Sequence, residues 1–146
     1  MRKNSSGFTL VELLVVITIL AILTTVGMVI YSGINKRARD SARKSDLYEV
    51  STALEVNKTF ESYMPLQVNQ FSSFQWKDSA GNAYCIATGS PADPVATSLW
   101  GETCPGGFTA IAPGVPSGSF GSWKLCTFLE NPDSGNLNVF CRSSSQ

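Results

Sequence analysis

Hydrophobic and polar positions follow four successive patterns along the chain. Residues 1–7 are polar and basic, and residues 8–30 are almost continuously apolar. Residues 31–63 lack proline and place small and apolar residues on one helical face, at Ile34, Ala38, Ala42, Leu47, Val50 and Leu54. From residue 64 onward, short apolar runs alternate with Gly, Pro, Ser and Asp. These patterns predict an apolar helix at 8–30, an amphipathic stalk helix at 31–63 and a globular head at 64–146.

The apolar run has the length and composition of a membrane span. A helix over residues 8–30 is about 35 Å long at about 1.5 Å per residue, which is enough to cross a bilayer core of about 30 Å. A secretory signal peptide has a shorter apolar core that ends at a small-residue cleavage site, and no such site follows here. The run could be a plain membrane anchor with a single span, or an anchor that also contacts other subunits.

Glu12 is the charged residue that a plain anchor does not explain. An unpaired carboxylate costs roughly 2.5 to 3.5 kcal/mol at the centre of a bilayer and less near its surface. Glu12 lies one turn from Phe8, so one interpretation is a tolerated residue that reaches the headgroups. The other is a charge kept for a partner. If the chain were cut after Gly7, the new amine of Phe8 on a neighbouring subunit could neutralise Glu12 in an apolar bundle.

The head has the pattern of a small antiparallel sheet. Strand-like runs separated by turn residues lie at 83–87, 108–112, 123–129 and 137–141. Most of the aromatic side chains of the head are predicted to be core, including Phe71, Trp76, Trp100, Phe120, Trp123 and Phe140. The predicted fold class is α+β, with a long N-terminal helix, first transmembrane and then amphipathic, packed by this sheet.

All four cysteines, Cys85, Cys104, Cys126 and Cys141, lie in the head. Four cysteines in a small domain outside the cytoplasm are typical of two disulfides. Metal binding is the rival interpretation, but the chain has no C-x₂-C spacing and no histidine. Of the three possible pairings, Cys85 with Cys104 and Cys126 with Cys141 is preferred, because it closes the shortest loops.

Charge and composition exclude several functions. Eleven basic residues balance eleven acidic ones, so no specific nucleic-acid partner is predicted, and the absence of histidine removes Ser-His-Asp and Cys-His catalysis. Asp93 and Glu102 could form an acid pair, but no motif or spacing supports it. We therefore predict neither an enzyme nor a cofactor. The basic cluster at residues 36–44 predicts a solvated face, or contacts with lipid headgroups or with acids of adjacent subunits.

The residues at the start of the apolar run resemble a known family. A basic peptide ending in Gly7, followed by FTLVELLVVI at residues 8–17, resembles the class III leader and N-terminal segment of type IV pilins and type II secretion pseudopilins. A small residue, an aromatic residue and a lone Glu at fixed spacing in an apolar run form a specific pattern. The stretch from Ala38 to Leu47 resembles the stalk of major pseudopilins more loosely.

This resemblance implies a pilin-like fold and a sequence of processing steps. Residues 1–7 would be a prepilin leader, which a membrane prepilin peptidase removes by cutting between Gly7 and Phe8. Phe8 would then be N-methylated, and Glu12 would aid the registration of subunits. The precursor would lie among the lipids of the cytoplasmic membrane with its head outside. Assembly machinery in the inner membrane would then polymerise it into a helical homo-oligomer at the cell surface.

The resemblance leaves the kind of filament open. The first interpretation is a type IV pilus subunit for adhesion, twitching motility or DNA uptake. The second is a pseudopilin of a type II secretion system, and the third is a bitopic membrane protein with a ligand-binding head. Many major pseudopilins bind calcium near the C-terminal loop. Here that loop offers only two carboxylates, Glu130 and Asp133, and a calcium site needs several, so no metal is predicted. The weaker amide donors of the loop are Asn131, Asn136 and Asn138.

Overall fold

A computed structural model of the chain describes residues 7–71, 75–95, 100–131 and 138–144. The described residues form a long helix, a 3₁₀ helix and six strands: α1 (Leu10–Val56), β1 (Lys58–Thr59), β2 (Ser62–Tyr63), the 3₁₀ helix (Val68–Gln70), β3 (Cys85–Thr88), β4 (Thr109–Ala110), β5 (Trp123–Phe128) and β6 (Val139–Ser143). The chain divides into two units, Met1–Asn35 and Lys36–Gln146. The first unit contains the N-terminal part of α1, and the second contains the rest of α1 and these strands.

The helix of the first unit presents an apolar surface. Its large apolar side chains are exposed from Leu10 to Ile34 wherever the structure describes them. The hydroxyls of Thr18, Thr24 and Thr25 each donate to the backbone carbonyl three residues earlier, at 2.8 to 3.0 Å. Because these polar hydrogens are bonded within the helix, the segment is suited to apolar surroundings.

Helix α1 ends at Val56, before the predicted end of the stalk helix at Tyr63, so that prediction is wrong at its C-terminal boundary. Asn57 completes the last turn, because its backbone N–H and its side-chain amide donate to the carbonyl of Ala53 at 3.1 and 2.7 Å. Strands β1 and β2 follow as a hairpin whose turn holds Phe60 at a φ of 35°. A residue with positive φ cannot continue a right-handed helix.

A four-stranded sheet in the order β4-β3-β5-β6 forms the main part of the head. Every neighbouring pair of strands in it is antiparallel. Strand β5 is central, with Cys126 opposite Cys85 of β3 on one side and opposite Cys141 of β6 on the other. The four strand-like runs predicted from the sequence overlap these strands, so the predicted small antiparallel sheet is confirmed.

The inner face of the sheet packs against the C-terminal part of α1. Alternate strand residues Ile86, Trp123 and Leu125 point to this face, as the two-residue period of a strand requires. They share one buried core with three residues of the predicted apolar face of the stalk, Leu47, Val50 and Leu54, and with Tyr63, Leu66, Tyr84, Ile111 and Phe120. The long helix and the sheet therefore bury each other, which gives the head its α+β core.

The outer face of the sheet carries the cysteines. Cys85 and Cys126 are fully buried there in a second cluster with Ala87 and Phe108. The structure contains the disulfides Cys85–Cys104 and Cys126–Cys141, which are the two pairs preferred from the sequence. The second disulfide joins residues directly opposite each other on β5 and β6. It therefore closes the loop between these two strands at its base.

The aromatic residues of the head lie in or against these two clusters. Phe120 and Trp123 are buried in the inner core, and Phe71, Trp76 and Phe140 pack on it while partly exposed. Trp100 packs against the outer cluster. The prediction that most of these side chains are core holds for Phe120 and Trp123, whereas the other four lie at the edges of the two clusters.

Candidate assembly site

The residues that precede α1 carry the candidate processing site. Gly7 and Phe8 lie before the first residue of the helix, Leu10, and both are exposed. The Phe8 side chain is 88% exposed. A peptidase can bind an exposed, non-helical peptide bond without first unfolding the chain. The geometry is compatible with cleavage between Gly7 and Phe8, which stays a prediction.

Thr9 and Glu12 form a capping box at the start of α1. The Glu12 carboxylate accepts hydrogen bonds from the backbone N–H of Thr9 at 2.9 Å and from its hydroxyl at 2.7 Å. In return, the backbone N–H of Glu12 donates to the Thr9 hydroxyl oxygen at 3.3 Å. Two N–H groups that a helix start leaves unpaired are thereby satisfied. Glu12 thus has a local role that the sequence analysis did not assign, although the Thr-x-x-Glu spacing signals it.

Both bonds that Glu12 accepts use the same oxygen, Oε2. Within the described residues, Oε1 accepts no hydrogen bond. The capping box therefore leaves one carboxylate oxygen available to a group from outside the chain.

Helix α1 is long and apolar enough to cross a membrane. The qualifying part of the helix lies near the N-terminus, and none of it is buried. The same criterion is met by buried core helices and by signal sequences, but the exposure of this segment argues against a core helix. The precursor is therefore suited to anchoring in a membrane by this helix.

A group of charges centred on the buried Arg43 joins α1 to two loops of the head. We call it the Arg43 cluster, and it consists of Arg39, Asp40, Arg43, Asp78 and Glu130. The Arg43 side chain is 2% exposed and pairs with Asp40 at 2.7 Å and with Asp78 at 2.6 Å. Glu130 binds Arg43 at 2.7 Å and Arg39 at 2.5 Å. Three carboxylates thus surround two guanidinium groups.

The same carboxylates also hold two loops of the head. Asp40 accepts the backbone N–H groups of Glu130 and Asn131 at 2.9 and 2.8 Å. Asp78 accepts the backbone N–H of Asn82 at 2.7 Å and its side-chain amide at 2.8 Å. The Arg43 cluster therefore fixes both loops on the helix. Removing one partner of a buried ion pair costs about 3 to 5 kcal/mol, because a charge is left uncompensated.

The prediction for the basic residues at 36–44 is wrong for two of them. It expected a solvated face, or contacts with lipid or with adjacent subunits. Arg39 and Arg43 instead bind acids of their own chain. The only local signal was the three-residue spacing of Asp40 and Arg43 on one helical face.

Burial and pairing shift the pKa values of this region. Hydrogen bonds from Arg39 outweigh the opposing effect of burial, and with Arg43 they lower the pKa of Glu130 to about 2. For Asp78, burial acts to raise the pKa, but hydrogen bonds from Asn82 and Arg43 outweigh it and lower the value. Both carboxylates are therefore charged at neutral pH, as the buried guanidinium of Arg43 requires.

The acid pair and the calcium donors considered in the sequence do not form sites among the residues that the structure describes. Asp93 pairs with Lys124 at 2.7 Å and Glu102 pairs with Lys77 at 2.5 Å, so these two acids belong to separate ion pairs. Glu130 is taken up by the Arg43 cluster. Two of the oxygen donors considered for calcium, Asp133 and Asn136, lie outside the described residues. Over the part of the chain that the structure describes, no three His, Cys, Asp or Glu side chains are grouped to hold a metal ion.

The family model of the prokaryotic N-terminal methylation motif matches residues 2–28. This motif is the class III prepilin leader, and its match to the leader and the apolar helix is consistent with the type IV pilin and pseudopilin family. Together with the α+β layout and the disulfides, it supports a type IV pilin-like or pseudopilin protein. Proteins of this class are structural subunits and are generally not enzymes. No curated protein and no solved structure matches the chain.

The Glu130→Gln variant tests the Arg43 cluster through pH. The lowered pKa of Glu130 stabilises the wild-type fold above the ordinary value of 4.5, and this contribution is lost as the pH falls toward about 2. We expect the variant to unfold at lower urea concentration at pH 7 and to lose less stability between pH 4.5 and pH 2. Urea unfolding of the full chain in detergent micelles, followed by tryptophan fluorescence, measures both effects.

The matched control is Glu49→Gln, which removes an exposed acid from the same helix. It should keep both the wild-type stability at pH 7 and the wild-type loss in acid. An equal loss in acid for Glu130→Gln and wild type would show that the pairing of Glu130 with the two arginines does not contribute to folding.

Proposed function

We propose that this chain is the structural subunit of a type IV pilus, without enzymatic activity, which polymerises into a helical filament at the cell surface. The observation that carries the proposal is the methylation motif at residues 2–28, together with the exposed apolar helix that follows it. Apolar surface of this extent is unfavourable in water. Lipid covers it in the membrane-anchored precursor, and the helices of other subunits cover it in the filament.

Processing begins at the leader. A prepilin peptidase cuts between Gly7 and Phe8, and the amine of Phe8 is then methylated. The exposure of both residues and their position before the helix support this step. Cleavage removes the basic residues Arg2 and Lys3 and leaves one positive amine at the end of an apolar helix. The new amine lies four residues before Glu12.

Assembly then depends on Glu12 of one subunit and the Phe8 amine of its neighbour. Each charge alone is unfavourable in an apolar helix bundle, and together they neutralise each other. The capping box supports this role because it orients the carboxylate and leaves Oε1 available. The neighbouring amine can therefore bind without breaking the bonds to Thr9.

Repeated contact between different surfaces of identical subunits generates an open helical fibre. The subunits are drawn from the cytoplasmic membrane, where the head lies outside and lipid surrounds the helix. The partners of the chain are therefore its own copies, the prepilin peptidase and the assembly machinery of the inner membrane. The filament is extracellular and serves adhesion, twitching motility or DNA uptake.

Two features of the head support a pilus over a secretion pseudopilus. The Cys126–Cys141 disulfide closes the loop between β5 and β6, and this part of the sequence resembles the C-terminal disulfide loop of pilins. Glu130, at the start of that loop, binds two arginine side chains, so cations of the chain itself balance its charge. A pseudopilin of a type II secretion system is the second candidate, because it shares the methylation motif.

Mass spectrometry of the mature protein tests the processing. We expect a mature chain that begins at Phe8 and carries one methyl group on its amine. An intact Met1, or a cut after residue 30, would contradict the proposal. Filaments sheared from the cell surface separate the two candidates, because a pilus subunit is recovered in them and a pseudopilin stays with the cell envelope.

Substitutions at the capping box test the charge of Glu12. Glu12→Ala removes both the charge and the cap, whereas Glu12→Gln removes the charge but keeps an acceptor for the cap. We expect both variants to lower the yield of sheared filaments at least tenfold. The yield is measured by quantitative immunoblotting against the total chain in the membrane.

Thr9→Val is the matched control, because it removes the hydroxyl of the capping box and keeps the Glu12 charge. Loss of a cap costs about 1 kcal/mol of helix stability, so this variant should assemble nearly as well as the wild type. If Glu12→Gln assembles normally and Thr9→Val does not, the cap rather than the charge supports assembly. That result would contradict the proposed role of the Glu12 charge.

A further inference from the structure

Phe60 projects from the head at a strained backbone position. It lies in the two-residue turn of the β1–β2 hairpin, and it alone has a positive φ, 35°, among the described residues other than glycine. A bulky side chain rarely adopts this conformation, which favours Gly or Asn. The Phe60 side chain is fully exposed, so packing within the chain does not compensate for the strain. Strain of this kind is typical of functional positions, so Phe60 is suited to contact a partner.

A groove of about 530 Å³ lies along an exposed face of α1. Its wall contains Ser45, Tyr48, Thr52 and Val56, which are three or four residues apart and therefore share one face of the helix. Gln70 of the 3₁₀ helix borders it. Sites that enclose a small molecule measure about 300 to 1,000 Å³, so this groove is large enough for one aromatic side chain.

Two residues of the wall offer apolar surface to such a side chain. Tyr48 is 51% exposed and Val56 is 77% exposed. The Tyr48 ring is held from its own chain, because the Arg142 guanidinium lies 4.0 Å from its centroid and the Phe140 ring lies 6.2 Å away. A fixed, half-exposed ring is suited to the offset or edge-to-face contact that aromatic pairs prefer.

The charges beside the two surfaces are opposite in sign. Lys58 is exposed two residues before Phe60, and Glu49 is exposed in the wall of the groove. Lys58 lies over the ring of Tyr63, with its ammonium 4.8 Å from the centroid. Over the ranges that the structure describes, neither Lys58 nor Glu49 forms a salt bridge. A pair between these two charges would fix the orientation of a contact between two copies.

We infer that Phe60 of one subunit occupies the α1 groove of another copy, with Lys58 of the first subunit beside Glu49 of the second. This inference rests on the proposed filament. Phe60 and the groove are different surfaces of the same chain, so each subunit uses both at once, and repetition gives an open fibre. A second copy is the occupant that the charges favour, because the same chain carries both complementary surfaces.

Phe60→Asn separates this contact from a structural role. Asn adopts positive φ more readily than Phe, so we expect the variant to unfold at a higher urea concentration than the wild type in detergent micelles. We also expect at least tenfold fewer sheared filaments, because the ring is lost. Val95→Asn makes the same change at an exposed apolar residue outside the hairpin and should keep the filament yield within twofold. A Phe60→Asn chain that assembles as well as the wild type would overturn the inference.

Charge reversal tests the pairing of Lys58 with Glu49. We expect Lys58→Glu and Glu49→Lys each to lower the filament yield at least fivefold, because each places like charges together. The double variant restores opposite charges and should return to within twofold of the wild type. A double variant as poor as the single variants would overturn the assigned pairing.

Crosslinking shows whether the contact joins two chains. Cells express one tagged chain with Glu61→Cys and a second, differently tagged chain with Thr52→Cys, and sheared filaments are treated with a short bis-maleimide. The native cysteines are paired, so the engineered ones react. We expect a dimer that carries both tags. Replacing Thr52→Cys by Thr88→Cys, an exposed threonine of β3 outside the groove, should abolish it.

The crosslinking result also separates this inference from the proposed function. Wild-type filaments that form without the mixed dimer in the crosslinked sample would overturn the inference and leave the pilus proposal intact. Absence of wild-type filaments would contradict the pilus proposal itself, and the inference with it.

Discussion

The structure depends on one constraint, which is that a helix covered with apolar side chains needs an apolar environment. From Leu10 to Ile34 the described apolar side chains are exposed, and the threonine hydroxyls among them are bonded within the helix. Lipid and the helices of other copies both meet this need, so the proposed exchange between membrane and filament does not require the segment to refold. A charged residue persists in such a segment only with bonding partners. Glu12 has Thr9 as a partner in the single chain and retains a free oxygen for another group.

The second half of α1 has a different role, which is to hold the small head in one position. Its apolar residues bury the inner face of the sheet, and the Arg43 cluster ties two loops to the same helix. The hydrophobic core supplies most of the stabilisation but has little directionality, whereas charged hydrogen bonds set geometry. On the outer face, one disulfide joins β3 to the loop that contains Cys104, and the other joins β5 to β6 within the sheet. Helix and head therefore form one compact unit from residue 36 onward.

Patterns among neighbouring residues predicted the features of the fold that depend on interactions between neighbouring residues. The apolar run, the Leu47-Val50-Leu54 face and the strand positions all follow from periodicity, and the leader is a contiguous motif. The Arg43 cluster could not be predicted, because Asp78 and Glu130 lie 35 and 87 residues from Arg43 and are brought to it by the fold. The helix end at Val56 was missed because no proline interrupts residues 31–63, whereas Asn57 and the turn at Phe60 end the helix after the last position of its apolar face, Leu54. The Thr-x-x-Glu spacing of the capping box is present in the sequence, but Glu12 was interpreted as a tolerated residue near the headgroups or as a charge kept for a partner.

Disulfide trapping within the apolar helix tests the central claim most directly. Val15 and Ile22 are 48% and 64% exposed on this helix, and all four native cysteines are already paired. The double variant Val15→Cys/Ile22→Cys, oxidised in intact cells, gives each subunit two points of linkage, and either single variant serves as the control. If other copies cover the helix, the double variant forms a long ladder of multimers on a non-reducing gel, and each single variant stops at dimers. A double variant that yields monomers and dimers alone would contradict the claim, because lipid would then be the lasting environment of the helix.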